Sequence, residues 1–218
     1  MKFEETPGGF GHGDVKNDVR LIHLARETLG ERDLMIDVQN MWTDVGQGVA
    51  TCKAIEPFNV FLVEAPFAAD NLEAYWRLAD STDVRIAVGD WGYSTRFDFL
   101  EIMERSGVEV VQPSTVRSGG ISEIMKIAEM AFRRGRLCIP YCWYQMVGVA
   151  AAVYIAATVP NMLYFEYPLA FPSTPLVTDL LTPMLKPGPD GLIEVPKRAG
   201  LGFTLNEDLI KRFRVDLY

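Results

Sequence analysis

Three acidic residues each end an apolar run, at a nearly constant interval along the chain. The runs are Asp33–Asp37, Asn59–Glu64 and Arg85–Asp90, and their last residues lie 27 and 26 positions apart. An interval of that length fits one buried strand followed by one amphipathic helix. Because neighbouring parallel strands end at the same edge of a sheet, this rhythm predicts a barrel of strand–helix units. All three carboxylates are then expected at the carboxyl ends of the strands, where such barrels have their active sites.

The three carboxylates are candidate metal ligands. Carboxylates that converge repel one another unless a cation lies between them. Oxygen ligands suit Mg²⁺, so Asp37, Glu64 and Asp90 predict a magnesium site with positions left open for a substrate carboxylate. The alternative is that each acidic residue caps the helix that follows its strand. The spacing alone leaves both interpretations open.

Apolar strands and amphipathic helices alternate along the chain almost to its end. Predicted strands lie at residues 2–5, 33–37, 59–64, 85–90, 108–113, 137–141 and 161–166. Predicted helices lie at residues 14–29, 44–55, 71–80, 96–105, 121–134 and 145–158. Strands that alternate with helices at this spacing pair in parallel through right-handed crossovers. We therefore expect seven strand–helix units, the last followed by a tail instead of a helix.

The number of units sets the expected domain organisation. We predict one α/β domain, a (β/α) TIM-type barrel, over residues 1–218, with the strand–helix units in 1–166. The proline-rich remainder, 167–218, is expected to pack over the barrel exterior or on a neighbouring subunit. Because a closed barrel of this kind needs eight strands, we also expect the first strand–helix unit to be missing. An open barrel exposes strand edges and apolar surface, which predicts a homo-oligomer.

Composition narrows the classes of partner. The net charge of −8 and the lack of a basic patch argue against nucleic acid. No apolar run approaches the roughly 20 residues of a membrane helix, so no membrane partner is expected. Three cysteines without paired or metal-ligand spacing indicate buried thiols and a cytoplasmic protein. With only His12 and His23, a histidine-rich metal site is excluded.

Several separate motifs resemble one known family. They are Asp37–Asn40, Val63–Pro66, Gln112–Pro113, the following Arg117–Ile121, and Gly200–Gly202 near the end. Together they resemble the barrel domain of the enolase superfamily, in its mandelate racemase/muconate lactonizing enzyme-like branch. The resemblance runs from the first residues to about residue 213 and is nearest to sugar-acid dehydratases. Members of the family also have an N-terminal capping domain that closes the site, which these 218 residues do not supply.

The resemblance implies a Mg²⁺-dependent lyase or isomerase. Such an enzyme removes the proton α to a substrate carboxylate, passing through an enediolate, with a side-chain base and magnesium. Dehydration of a sugar acid is the expected reaction, and a small-molecule carboxylate is the expected partner. Carried over by position, Asp37, Glu64 and Asp90 are the metal ligands. Aspartate at the third position departs from the glutamate usual in this branch but is still an oxygen donor.

The positions of the family's bases depart from the pattern. A Lys-x-Lys motif on an early strand corresponds here to Lys2-Phe-Glu4, so its second lysine is a glutamate. The histidine and aspartate that form a dyad in many members correspond to Tyr141 and Ser114. Three explanations compete: Glu4 or Tyr141 carries the proton, Lys2 alone acts as acid or base, or the chain binds metal and acidic ligands without catalysis. A truncated piece of a longer enzyme is a further alternative.

Other side chains are candidates for substrate binding. Gln39 and Asn40 follow a predicted ligand and are placed to bind substrate hydroxyls, or they make the turn. Arg117 pairs with substrate or is a solvated loop charge. Glu166 ends the last predicted strand, where the family often has an acidic residue that meets the substrate carboxylate. Ser114, at the former dyad position, completes this set.

Overall fold

Parallel strands linked by helices make up most of the chain in the computed structural model, which describes residues 2–4, 14–89, 91–142, 146–167 and 174–215. Within these residues six strands form one parallel sheet whose spatial order is the order along the chain. The strands are β1 Lys2–Glu4, β2 Leu34–Asp37, β3 Val60–Glu64, β4 Ile86–Val88, β5 Val110–Val111 and β6 Leu137–Cys138. Sequential order in a parallel sheet is the order of a (β/α) barrel.

Helices connect the strands at the predicted places. They are α1 Val15–Leu29, α2 Val45–Ile55, α3 Leu72–Ala79, α4 Arg96–Arg105, α5 Gly120–Phe132 and α6 Met146–Ala156. The first four each begin after a residue with a short polar side chain that accepts a backbone N–H of the first turn. These capping residues are, in order, Asp14, Asp44, Asn71 and Thr95. Side chains of this type satisfy N–H groups that have no partner within the helix, which fixes where each helix starts.

The sheet is buried on both faces, as parallel sheets usually are. Val63 and Val88 belong to the larger core, which packs the sheet against the helices. Leu62 and Ala87, one position earlier on the same strands, belong to a smaller cluster on the opposite face. Because side chains alternate across a strand, this smaller cluster marks the interior side of the barrel.

The segment 174–215 packs on α6. It contains two short helices, α7 Pro175–Thr178 and α8 Glu207–Phe213, and two antiparallel strands, β7 Leu181–Thr182 and β8 Thr204–Leu205. Leu181 and Leu185 share a cluster with Val149 and Val153 of α6. Helix α6 is apolar on every side because it lies between the barrel and this segment.

The predicted strand at 161–166 is wrong, since the structure assigns no strand there. Two backbone hydrogen bonds still hold this segment beside β6: Cys138 N–H donates to Asn161 O (3.0 Å) and Glu166 N–H to Pro140 O (3.2 Å). Pro140 has no N–H to donate in return, which interrupts a regular ladder. The Asn161 amide also turns away, donating to the carbonyls of Ala128 and Arg136. The described sheet therefore has six strands, not seven.

The sheet curls so that the segment after β6 reaches β1. The Lys2 ammonium on β1 lies 3.0 Å from the Glu166 carboxylate, which follows β6. In a flat sheet β1 and β6 would be roughly 24 Å apart. The same segment places Tyr164 against β2 and β3, where its hydroxyl donates to the Asp33 carboxylate and its ring meets Phe61 edge-on at 5.4 Å. The predicted α/β barrel architecture is thus confirmed.

No helix within the described ranges is long and apolar enough to cross a membrane. The three cysteines are buried and form no disulfide in this part of the chain.

Candidate active site and metal centre

Two of the predicted ligands lie side by side at the carboxyl edge of the sheet. Asp37 ends β2, Glu64 ends β3, and the register of these strands pairs the two residues directly. Both are almost fully buried, at 2% and 1% exposure. Buried carboxylates are rare unless a cation or hydrogen-bond donors compensate them, so this pair needs a partner of opposite charge.

Lys2 is that partner. Its ammonium nitrogen lies 3.1 Å from Asp37 Oδ2, 2.9 Å from Glu64 Oε1 and 3.0 Å from Glu166 Oε1. The Lys2 side chain is 15% exposed and that of Glu166 18%. Three carboxylates from different parts of the barrel therefore gather around one nitrogen. The sequence predicted Lys2 and each acid separately but not this common contact.

The charge on Lys2 is stabilised by its surroundings. Burial on its own lowers the pKa of the Lys2 amine, but attraction to Glu64, Glu166 and Asp37 outweighs it, and the pKa is raised above its ordinary value. Opposite charges at hydrogen-bond distance favour the ionised form. Lys2 is therefore a stable cation in this arrangement and is poorly suited to accept a proton.

The helix-cap alternative does not hold for the two buried carboxylates. Asp44 caps α2 and Asn71 caps α3, each accepting backbone N–H groups of the first turn. Asp37 Oδ1 instead accepts the Gln39 N–H at 2.9 Å, within the loop that leaves β2. One oxygen of Asp37 thus orders the loop while the other faces Lys2.

The loops that leave β2 and β3 have backbone conformations that L-residues seldom adopt. Gln39, Asn40 and Ala65 have φ of 52°, 62° and 45°, and the Asn40 N–H donates to Ala65 O. Left-handed backbone at non-glycine residues is unfavourable and is found preferentially at functional sites. Both Gln39 and Asn40 therefore shape the turn with their backbones. Contact of their side chains with a substrate remains a prediction.

Ser114 and Tyr141 are neighbours, as expected for positions that share one site. They form an isolated parallel bridge just beyond β5 and β6, and both are buried. Ser114 Oγ accepts the Arg117 N–H at 3.2 Å, so the hydroxyl orders the following loop. Tyr141 adjoins Pro140, the carbonyl of which accepts the Glu166 N–H. Tyr141 is therefore close along the backbone to one of the three carboxylates around Lys2.

Arg117 is exposed, and its guanidinium lies over the Trp91 ring, 4.8 Å from the centroid. Trp91, 56% exposed, follows β4. This stack holds Arg117 at the edge of the sheet where the carboxylates lie. The stacking on Trp91 was not predicted, and it comes from two loops that follow adjacent strands.

Two predicted site residues cannot be placed in full. Asp90 lies outside the described residues, and so does the side chain of Glu4. The backbone of Glu4 is described, and its register on β1 sets it opposite Asp37. No three acidic, histidine or cysteine side chains in the described ranges form a metal-binding group by themselves. The complete predicted trio thus remains a prediction.

The donor set nevertheless fits magnesium. Asp37 and Glu64 supply buried carboxylate oxygens from adjacent strands, and these oxygens already surround one positive charge. Mg²⁺ binds through one or two carboxylates and keeps other positions for water or substrate. These two residues would therefore hold the ion, with no nitrogen or sulfur ligand needed.

Curated proteins with similar sequences include sugar-acid dehydratases. An arabinonate dehydratase from Saccharolobus solfataricus is 28% identical over 218 residues, which cover 98% of this chain and 56% of that enzyme. A D-galactonate dehydratase from Xanthomonas campestris pv. campestris is 32% identical over 202 residues, covering 89% and 52%. The chain thus spans about half the length of the curated relatives it matches.

Solved structures show the same fold. A racemase from Streptomyces coelicolor A3(2), itself with bound magnesium, matches with a TM-score of 0.82 at 24% identity, covering 98% of this chain and 54% of that chain. The sequence profile described as enolase C-terminal domain-like matches residues 1–209, which confirms the resemblance seen in the motifs. This chain therefore belongs to the enolase C-terminal domain-like family, in the mandelate racemase/muconate lactonizing enzyme group of the enolase superfamily.

Proposed function

We propose that this chain acts in a Mg²⁺-dependent lyase or isomerase that removes the proton α to a carboxylate, with sugar-acid dehydration as the reaction. The observation that supports it best is the pairing of Asp37 with Glu64 at the carboxyl edge of the sheet, around a single cationic group. Asp90, which continues the sequence interval set by these two residues, is the third ligand in this proposal. Bound magnesium would supply a Lewis acid that stabilises negative charge developing on the substrate carboxylate.

The side chains of this chain then have separate tasks. Asp37 and Glu64 hold the cation, and the charged Lys2 attracts the substrate carboxylate and stabilises the anion that forms from it. Glu166, at the more exposed side of this group, orients Lys2 or a substrate hydroxyl. In this proposal Lys2 stays charged beside Glu166, so the proton acceptor is another group.

Glu4 and Tyr141 are the candidates for that group. Glu4 replaces the second lysine of the family motif, and its backbone lies opposite Asp37. Tyr141 replaces the histidine and is buried beside Ser114. Glu4 lies on β1, two residues after Lys2, and Tyr141 follows β6, next to Pro140, the carbonyl of which accepts the Glu166 N–H. A carboxylate serves as a general base more readily than a neutral phenol, so we assign the base role to Glu4 and the acid role to Tyr141.

A sugar acid is the substrate class that fits the remaining polar groups. Gln39 and Asn40 leave β2 beside a proposed ligand, and Arg117 is held by Trp91 at the same edge of the sheet. Such groups suit a chain of hydroxyls that ends in an anionic group. Relatives that act on arabinonate and galactonate support the same class.

The alternative function is a barrel that binds metal and acidic ligands without catalysis. It is favoured by the loss of both usual bases, which Glu4 and Tyr141 replace. Homo-oligomerisation is proposed in either case, since the described sheet has six of the eight strands that close a barrel of this kind.

Hydrogen exchange separates the two functions. The full chain is incubated with Mg²⁺ in D₂O with a panel of aldonic and aldaric acids, and NMR follows loss of the α-proton and formation of dehydrated product. We expect exchange that a chelator abolishes, that Glu64→Gln and Glu4→Gln abolish, and that Tyr141→Phe slows at the dehydration step. Lys126→Met, which alters an exposed ion pair with Glu123, is the matched control. Metal binding without exchange on any acid would favour the non-catalytic alternative.

A further inference from the structure

We infer that Lys2 and the divalent cation are alternative partners of the same two carboxylates, so that the cation binds only when Lys2 withdraws. The inference rests on the metal site proposed above and deepens it. Lys2 would then be more than an electrostatic aid to the reaction, because it sets how tightly the chain takes up the metal.

The contacts of Lys2 are those that a metal would need. The Lys2 ammonium nitrogen lies 3.1 Å from Asp37 Oδ2 and 2.9 Å from Glu64 Oε1. The other oxygen of Asp37 accepts the Gln39 N–H, so Oδ2 is the oxygen of Asp37 left for a cation. A magnesium ion bound about 2.0–2.1 Å from these oxygens would lie in the space that the ammonium group takes.

Charge opposes simultaneous binding as well. A divalent ion and an ammonium group at contact distance repel each other, and burial weakens the screening of that repulsion by water. Asp37 and Glu64 are both nearly inaccessible. The two cations are therefore expected to compete for the pair.

Glu166 gives Lys2 a place to withdraw to. It is the most exposed of the three carboxylates around the ammonium group, and it lies on the segment after β6 and not on β2 or β3. A lysine side chain has four flexible methylene groups, so the ammonium can move while the backbone of Lys2 stays paired with Met35. Of the three described carboxylates, Lys2 is expected to keep its contact with Glu166 in the metal-bound chain.

Titration calorimetry with Mg²⁺ on the chelator-treated full chain tests the inference. Lys2→Met and Lys2→Gln should each bind Mg²⁺ roughly tenfold to a hundredfold more tightly than the natural chain, because the competing charge is gone. Lys126→Met should bind as the natural chain does. In EDTA the Lys2 variants should also have a lower Tm than the natural chain, and Mg²⁺ should raise their Tm by more.

The reactivity of Lys2 in the natural chain provides a second test, which stays valid if the Lys2 variants fold only with metal. Acylation of amines, read by mass spectrometry, should modify Lys2 slowly in EDTA and several times faster with saturating Mg²⁺. Modification of Lys126 should not change.

The outcomes separate this inference from the proposed function. Tighter binding by both Lys2 variants, with faster acylation of Lys2 on metal addition, supports it. Equal or weaker binding by the variants, with the natural chain binding Mg²⁺, overturns the competition and leaves the metal site standing. Lack of binding by every chain overturns both.

Discussion

Helix α6 approaches the barrel so closely at Gly148 that a methyl group added there has no room. A Cβ at this position would lie 2.2 Å from Cys142 Sγ, 2.9 Å from Thr115 Oγ1 and 3.1 Å from Val116 Cγ1. Carbon atoms in contact normally lie about 3.5–4.0 Å apart, so the sulfur contact alone is short by more than 1 Å. The Gly148→Ala substitution therefore tests how rigidly α6 is seated.

The expected magnitude combines two opposing terms. Overpacking of a buried site costs about 1–3 kcal/mol, whereas alanine favours a helix over glycine by about 1 kcal/mol. Because the contact with Cys142 Sγ is so short, we take the upper part of the overpacking range, about 2–3 kcal/mol. After the helix gain is subtracted, we expect Gly148→Ala to lower the free energy of unfolding by about 1–2 kcal/mol in urea titrations followed by circular dichroism. Because Cys142 and Thr115 adjoin Tyr141 and Ser114, the same change should also disturb the candidate site.

A double-mutant cycle identifies the cause. Cys142→Ala removes the atom in the worst contact, so Gly148→Ala should be less destabilising in that background, with a coupling energy of about 1 kcal/mol. Gly46→Ala, at the exposed start of α2, meets only the Asp44 side chain, at 3.3 Å, and should change stability by less than about 0.5 kcal/mol. If Gly148→Ala is as stable as the natural chain, or if Cys142→Ala gives no relief, the steric reasoning is refuted.

Two further predictions concern the segment after β6. Asn161→Ala removes the side-chain amide that donates to Ala128 O at 3.0 Å and Arg136 O at 2.9 Å. It should lower the free energy of unfolding by about 2–3 kcal/mol in urea titrations. An unchanged free energy of unfolding would show that water replaces the amide. The pKa of the Tyr164 hydroxyl is raised from 10.0 to about 12, and the hydrogen bond to the Asp33 carboxylate is the largest cause. The contribution of this hydrogen bond to stability is therefore complete below pH 10 and is lost as the pH rises toward 12. The difference in free energy of unfolding between the natural chain and Tyr164→Phe should accordingly be constant from pH 7 to 9 and shrink above pH 10. A difference that grows above pH 10 would contradict this sign.

The pairing of Asp37 with Glu64 could be predicted because each acid ends a hydrophobic run, and neighbouring parallel strands that end together bring their last residues together. The contact of Lys2 with Glu166 could not be predicted in this way. It depends on the curl of the whole sheet, which no local pattern encodes.

Errors in the predicted strands also have physical causes. The segment 161–166 is apolar enough for a strand, but Pro140 beside it lacks a donor and Asn161 bonds elsewhere. The antiparallel pair of β7 and β8 was missed because each strand has only two residues, too few to show a period of two.

The contact between Lys2 and Glu166 joins the start of the strand–helix series to its finish. Contacts between residues so distant in sequence form slowly, because most of the intervening chain must first be ordered. During synthesis, Asp37 and Glu64 leave the ribosome long before Glu166 does. The grouping of all three acids around the amine is thus expected late in folding. A chain cut anywhere between helices α3 and α6 would keep the two anions but lose Glu166, together with the later strands that bring it to β1.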